Sequence, residues 1–205
     1  MKKLGAGLLA LLLLTGCSRN PTEMNRAVNL RSRLLTEETC SFTARVTADY
    51  GDSLQQFTLY CQGDGRGDLR FRVEEPQTIA GISGSISDSG GQLTFEDTAL
   101  QFDLLTDQQL SPVSAPWIFL KTLRGGYLTS ADRDGEQIHI SARDSYQQEA
   151  LFVDLWLDSS DSPVRSEILW KGRKILTLEL SGFQIGSQQL STFSAAPYNF
   201  TACVG

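Results

Sequence analysis

Hydrophobic and polar residues alternate with a period of two over most of the chain beyond Cys40. The first run places Phe42, Ala44, Val46 and Ala48 on one side. Because successive side chains of a strand point to opposite faces, this pattern predicts a strand with one buried face. Further runs follow at 57–62, 69–74, 78–86, 92–95, 99–102, 126–129, 137–141, 150–157, 163–170 and 174–180. Such regular short runs predict a mainly β (α+β) fold with one large antiparallel sheet.

Two segments have a helical period instead. Asn20 as the cap and Pro21 at the first helical position start the earlier helix. Its apolar positions form an amphipathic stripe made of Met24, Ala27, Val28, Leu34 and Leu35.

The second helical segment lies in the middle of the chain, between Ser111 and Gly126. Prolines mark its start and paired glycines its end, and it is rich in large apolar residues. We expect it either to fill the core or to lie as a lid over the concave face of a curved half-barrel sheet, and the two roles are compatible.

The N-terminus carries an export signal. Met1-Lys2-Lys3 precedes an apolar run from Leu4 to Leu14 that is too short to span a bilayer. Leu14-Thr15-Gly16-Cys17 resembles the lipobox of bacterial lipoproteins, in which the cysteine carries a lipid and the signal is cut just before it. The resemblance implies a signal peptide at 1–16, a lipidated terminus and short tether at 17–21, and a single domain at 22–205. The alternative is an ordinary cleaved signal with a chance cysteine.

The net charge of the mature chain limits the classes of partner that it can bind. Removal of Lys2 and Lys3 takes the formal charge from −6 to −8. Phosphate backbones and anionic headgroups repel such a surface, so we expect no nucleic-acid binding. We therefore expect the lipid on Cys17 to attach the protein to the extracytoplasmic face of the cell membrane. Burial of its acyl chains, typically palmitate, supplies the free energy of anchoring.

Three cysteines remain after lipidation. Cys40 begins one strand and Cys61 ends the next, so a simple hairpin register places them opposite each other and predicts a cross-strand disulfide. Cys203 is then a free thiol, a link to a second chain in a homodimer, or a replacement partner for one of the other two.

The sequence lacks residues that common catalytic sites require. His139 is the single histidine and lies in a predicted strand, so histidine-based nucleophilic and metal sites are incomplete. Glycine clusters are not followed by the Gly-Lys-Ser/Thr sequence of a phosphate loop. We expect no enzymatic activity, no metal and no cofactor.

The layout as a whole resembles the LolA/LolB lipoprotein-carrier superfamily. The resemblance covers residues 22–182 and rests on the lipobox, the first helix, the long meander, the strand ending at Pro76 and the apolar mid-chain helix. It implies a curved half-barrel whose apolar concave face is covered by helices. Ser111-Pro112, Pro116-Trp117 and the hairpin at 167–173 look most like the germination-lipoprotein-like (GerS-like) proteins of clostridia, relatives that support a partner protein and self-associate.

Two functions follow as hypotheses. The first is a carrier, similar to an outer membrane lipoprotein carrier, that holds a lipid or a lipidated client between sheet and helix. Its candidate lining residues are Phe42, Val46, Phe71, Val73, Trp117 and Leu120, each of which also suits a plain core. The second is a scaffold without a small ligand, which docks a protein partner or itself in spore germination or cell-envelope processing.

Lipid attachment at Cys17 is directly testable. Cells fed an alkyne-bearing palmitate should label the full chain. Cys17→Ser should abolish the label, because Cys17 is the cysteine of the lipobox. Cys203→Ser should keep the label. Undiminished labelling of the Cys17→Ser chain would contradict the lipobox assignment.

Overall fold

A computed structural model of the chain describes residues 21–95, 98–102, 105–106, 109–147 and 149–186. The helices are α1 (Pro21–Thr36) and α2 (Ala115–Gly125), with 3-10 turns at Gln77–Ile79 and Pro112–Ser114. The strands are β1 (Thr39–Asp49), β2 (Leu54–Asp64), β3 (Leu69–Glu75), β4 (Ser83–Ser87), β5 (Gly90–Phe95), β6 (Thr98–Phe102), β7 (Leu105–Thr106), β8 (Gln109–Leu110), β9 (Tyr127–Asp134), β10 (Gln137–Arg143), β11 (Phe152–Leu157), β12 (Pro163–Trp170) and β13 (Arg173–Ile185).

Eleven strands form one antiparallel sheet in the order β6-β5-β4-β3-β2-β1-β13-β12-β11-β10-β9. Two meanders, β1–β6 and β9–β13, are joined by the pairing of β1 with β13. The sheet does not close, so β6 and β9 are its two edges, and β7 with β8 forms a separate small hairpin. The mainly β fold predicted from the alternation is confirmed.

Contacts of α2 show that the sheet is curved. The helix contacts β2 on one side and β10 on the other. These strands are five places apart in the sheet, about 24 Å in a flat one, whereas a helix is about 10 Å wide. A flat sheet could not bring both strands to one helix, so the sheet wraps around α2.

The core lies between the concave face and α2. Phe119 is fully buried and meets the rings of Phe42 and Phe183 edge-on, at centroid distances of 5.9 and 6.2 Å. The strand residues on this face alternate with polar residues on the convex face, as the period of two requires. The second helix therefore fills the core, which was one of its two expected roles.

Helix α1 covers the β9 end of the sheet. Ala27, Leu30 and Leu34 are buried, whereas Val28 and Leu35 are 47% and 63% exposed, so the predicted stripe is partly wrong. Arg31 Nε donates to the Leu123 carbonyl at 2.7 Å, which fixes α1 against the end of α2. This contact sets the rotation of α1 and turns the Leu30 side inward.

Other elements also differ from the prediction. Strand β13 continues to Ile185, beyond the predicted end at Leu180, and the start of the predicted 78–86 strand is a 3-10 turn. The short β7–β8 hairpin was not predicted. Among the described residues, neither helix is both long and apolar enough to cross a bilayer.

Replacement of Phe119 by alanine should lower the free energy of unfolding by about 3–5 kcal/mol, because it leaves a cavity where a fully buried ring met two others edge-on. Phe95→Ala is the matched control, since Phe95 is 54% exposed, and should cost under about 0.5 kcal/mol. Urea unfolding of both variants measures the difference. Equal losses would contradict the placement of α2 in the core.

Candidate functional site

A cleft of about 540 Å³ opens at the end of the sheet where β1 ends and β13 begins. We call it the open-end cleft. Its walls come from the β1–β2 and β12–β13 turns, strand β8 and the β10–β11 connection. The lining residues are Asp49, Tyr50, Leu110, Gln147, Glu149, Leu151, Trp170, Lys171, Arg173 and Ile175.

The floor of the cleft is apolar. Its half-buried residues are Tyr50, Leu110, Leu151, Trp170 and Ile175. The Tyr50 hydroxyl donates to the Leu110 carbonyl at 2.6 Å, and burial raises the pKa of Tyr50. This bond ties β8 to the β1–β2 turn, so two walls of the cleft are fixed relative to each other.

The β12–β13 turn places the aromatic part of the floor. Lys171 and Gly172 both have left-handed backbone, with φ of 50° and 77°. Two positive φ values in a two-residue turn match the hairpin twist, and Trp170 pairs directly with Arg173. The tight turn thus brings an aromatic ring and a cation together at the mouth.

The rim is charged but internally paired. Lys171 Nζ lies 2.9 Å from Glu149 Oε1 and 4.5 Å from the Trp170 ring centroid. Arg173 Nη2 lies 3.8 Å from Asp49 Oδ1. All four charged side chains are more than half exposed, so each pair contributes about 0–1 kcal/mol. These four rim charges sum to zero, so they give the mouth of the cleft no excess charge of either sign.

The six residues predicted to line a ligand site are buried around α2 and do not reach the open-end cleft. Phe42, Val46, Phe71, Val73, Trp117 and Leu120 are at most 6% exposed and belong to the core. The structure brings them together around α2, but none of them lines the open-end cleft. A void of only about 10 Å³ remains beside Phe119. In the described residues, the part of the concave face under α2 is packed with buried side chains.

The cleft residues were missed because their sequence signal is weak. Each lies next to a turn, where the alternation ends. Two aromatic residues at such turns could have been singled out, Trp170 directly before Lys171-Gly172 and Tyr50 directly before Gly51.

The predicted hairpin register of the cysteines is wrong. Cys40 pairs with Gly63, and Cys61 pairs with Phe42. Diagonal neighbours of this kind lie about 7–8 Å apart between Cα atoms, beyond the usual reach of a disulfide. Both thiols are free and buried. A side chain at Gly63 would collide with Leu120, so glycine opposite Cys40 makes room for α2.

Burial raises the pKa of the Cys40 thiol, and it raises the pKa of the Cys61 thiol well above its ordinary value. Cys17 and Cys203 lie outside the described residues. The lipid anchor and the proposed intermolecular link therefore stay predictions from the sequence.

His139 lies on the convex face, away from the cleft. Its Nε2 is 3.1 Å from Asp154 Oδ1, and its ring stacks on Trp156 at 4.6 Å. The Ser141 hydroxyl donates to the same Asp154 oxygen at 2.6 Å rather than to the imidazole. Ser141 and His139 therefore both contact Asp154, and the hydroxyl is not paired with the imidazole as a nucleophile with its base would be. No group of three or more metal-ligating side chains occurs among the described residues.

Comparison with known proteins finds similarity at the level of the fold. No protein-family model matches, and no curated protein matches. An uncharacterized conserved protein from Thermus thermophilus aligns over 83% of this chain and 94% of its own, at 12% identity and a TM-score of 0.48.

Two further solved structures carry descriptive names. A LolA superfamily protein from Nitrosomonas europaea aligns over 80% of this chain and 94% of its own, at 8% identity and a TM-score of 0.41. A putative outer membrane lipoprotein-sorting protein domain from Vibrio parahaemolyticus aligns over 83% and 94%, at 9% identity and a TM-score of 0.42. Structural neighbours thus include LolA-superfamily folds, and these low similarities carry no argument about ligand or partner.

The two buried thiols give a pH-dependent prediction. Thiolate is the reactive form, so a raised pKa keeps the folded thiols protonated through neutral and mildly alkaline pH. N-ethylmaleimide should modify Cys40 and Cys61 at least about 100-fold more slowly in the folded chain than in urea. Raising the pH from about 7 to 9 should accelerate modification mainly in the unfolded chain, whose thiols titrate at about 8.5.

Peptide mass mapping measures each cysteine separately. Fast labelling of either thiol in the folded chain would contradict its burial. Labelling in urea that appears only after addition of a reductant would show that a disulfide forms after all.

Proposed function

We propose that this chain is a lipid-anchored extracytoplasmic lipoprotein that binds an apolar ligand, an acyl chain or the lipid of a lipidated client, in the open-end cleft. The observation that carries the proposal is a cleft of about 540 Å³ whose floor is apolar and whose rim is polar. Small-molecule sites have this form and size, with apolar lining and a few polar groups at the mouth. The protein then acts as a carrier or sensor without chemistry of its own.

The proposed location rests on the sequence. The signal at 1–16 and the lipobox cysteine Cys17 favour a domain outside the cytoplasm that is attached by lipid to the membrane. The ligand specificity and the closer kinship with germination-lipoprotein-like proteins stay predictions.

A second candidate is a scaffold that docks a protein at the free edge strand β6. Phe95 is 54% exposed on neighbouring β5, and Leu100 is 62% exposed on β6. An edge strand offers unpaired backbone groups, and an extended segment of a partner can pair with them. Native mass spectrometry separates the candidates, because a carrier retains lipid mass whereas a scaffold shows a protein complex. A dimer lost with reductant, or in Cys203→Ser, would favour the scaffold.

Ligand binding at the cleft can be read from tryptophan fluorescence. A bromine-labelled stearic acid should quench Trp170, which lies on the cleft floor, and the quenching should be absent in Trp170→Phe. Trp156→Phe is the matched control, because Trp156 stacks on His139 on the convex face and should leave the quenching unchanged.

Affinity gives a second readout. Leu151→Glu puts a carboxylate into the apolar floor and should weaken binding at least about tenfold. Leu54→Glu should not, since Leu54 is 72% exposed and outside the cleft. Binding that survives Leu151→Glu, or quenching that survives Trp170→Phe, would place the ligand elsewhere.

A further inference from the structure

A small pocket of about 80 Å³ lies at the opposite end of the sheet from the open-end cleft. Ser41, Gln62 and Arg70 pair across β1, β2 and β3 on the convex face, and they line it together with the last described residue, Gly186. Cys40 and Asp49 are separated by about 30 Å of strand. We call this the Gln62 pocket, and it is independent of the proposed ligand site.

Gln62 has an unsatisfied polar group in this pocket. The residue is 8% exposed, and its Nε2 donates to the Tyr60 hydroxyl at 3.3 Å. Its Oε1 is buried, and no residue supplies it with a hydrogen bond in the part of the chain described. Leaving a buried polar atom unpaired costs about 1–3 kcal/mol, so the position calls for a donor. Turning the carboxamide over would exchange the atoms and leave the amide nitrogen without an acceptor instead.

An extended peptide satisfies either orientation. Each non-proline residue offers one N–H and one C=O, so a peptide crossing the pocket can pair with whichever amide atom faces it. A ligand with only donors or only acceptors fits a single orientation. Water also donates and accepts, so the pocket chemistry is compatible with a polypeptide segment, and solvent is the alternative that the experiment must separate.

The chain itself supplies such a segment at the wall of the pocket. Gly186 N donates to the Thr39 carbonyl at 2.9 Å, and Thr39 Oγ1 donates back to the Gly186 carbonyl at 3.2 Å. Gly186 has a φ of 102°, a conformation that favours glycine and turns the chain out of the line of β13. Residues 187–205 follow directly. Because an extended chain gains about 3.3 Å per residue, this segment is long enough to cross the pocket.

The composition of residues 187–205 fits an inward-facing role. The segment has no Asp, Glu, Lys, Arg or His side chain, although 20% of the whole chain is charged. It contains Leu190, Phe193, Tyr198 and Phe200. A segment that stays in solvent is typically rich in charge and poor in aromatics, whereas this one has little to lose by burial. Tethering also gives it a high effective concentration at the pocket.

We propose that residues 187–205 dock on the convex face of β1–β3 and satisfy the Gln62 carboxamide in the Gln62 pocket. The open-end cleft stays accessible in this arrangement, because the docked segment occupies the other face and the other end of the sheet.

Hydrogen–deuterium exchange of the full chain, followed by mass spectrometry, tests the proposal. Amides in 187–205 should exchange at least about tenfold more slowly than those of an unstructured peptide of the same sequence. Gln62→Met keeps the length of the side chain but removes both polar atoms, and it should restore fast exchange in that segment.

Gln56→Met is the matched control. Gln56 lies on the same strand and face, and it also donates one hydrogen bond, to Thr47 Oγ1 at 3.3 Å, but it is outside the pocket. This variant should leave exchange in 187–205 slow. Ser41→Leu fills the pocket from the opposite strand and provides a second variant that should speed exchange. Unchanged exchange in β9–β12 shows that each variant is folded.

Two results would overturn the proposal. Exchange of 187–205 at the rate of a free peptide in the unmodified chain would show that the segment does not dock. Slow exchange that both Gln62→Met and Ser41→Leu leave unchanged would show that it docks elsewhere and that solvent satisfies Gln62.

Discussion

The packing of α2 against the concave face is the contact on which the rest of the structure depends. Eight of its residues are buried, and Phe119 meets edge-on the rings of Phe42 and Phe183, which stack on each other. Burial of a large apolar side chain contributes about 1.5–3 kcal/mol, so this one helix supplies much of the drive that curls the sheet. The same helix fills the part of the concave face that it covers.

The position of α2 determines which part of the concave face stays open. The sheet is longer than the helix is wide, so the concave face continues past α2 toward the turns at the open end. Side chains there meet fewer neighbours, and Tyr50, Trp170 and Ile175 stay half-buried. The hydrogen bond from Tyr50 to Leu110 joins strand β8 to the β1–β2 turn and so fixes the spacing of these two walls. A filled core and a partly empty end are thus two consequences of one packing arrangement.

Most of the architecture could be predicted from the sequence, because alternation in β1–β3 and β10–β13 reports directly on which side chains face inward. The residues that line the open-end cleft could not be, since the core residue Phe42 and the cleft residue Tyr50 belong to the same alternating run. Only the position of α2 separates them. The cysteine register failed for a related reason: the number of residues in the 50–53 turn sets which residues pair, and alternation fixes the face but not the partner. In α1, the helical period alone did not show that Leu30 is buried and Leu35 exposed, because that depends on how the helix is rotated against α2, where Arg31 makes its contact.

Mapping of photo-crosslinks from a diazirine-bearing fatty acid tests the central claim most directly. The filled core and the open-end cleft predict adducts on Leu151, Trp170 and Ile175, identified by peptide mass spectrometry. Adducts on Phe42, Phe71 and Trp117 would show instead that the helix moves aside and that the ligand enters beneath it, which would contradict the account.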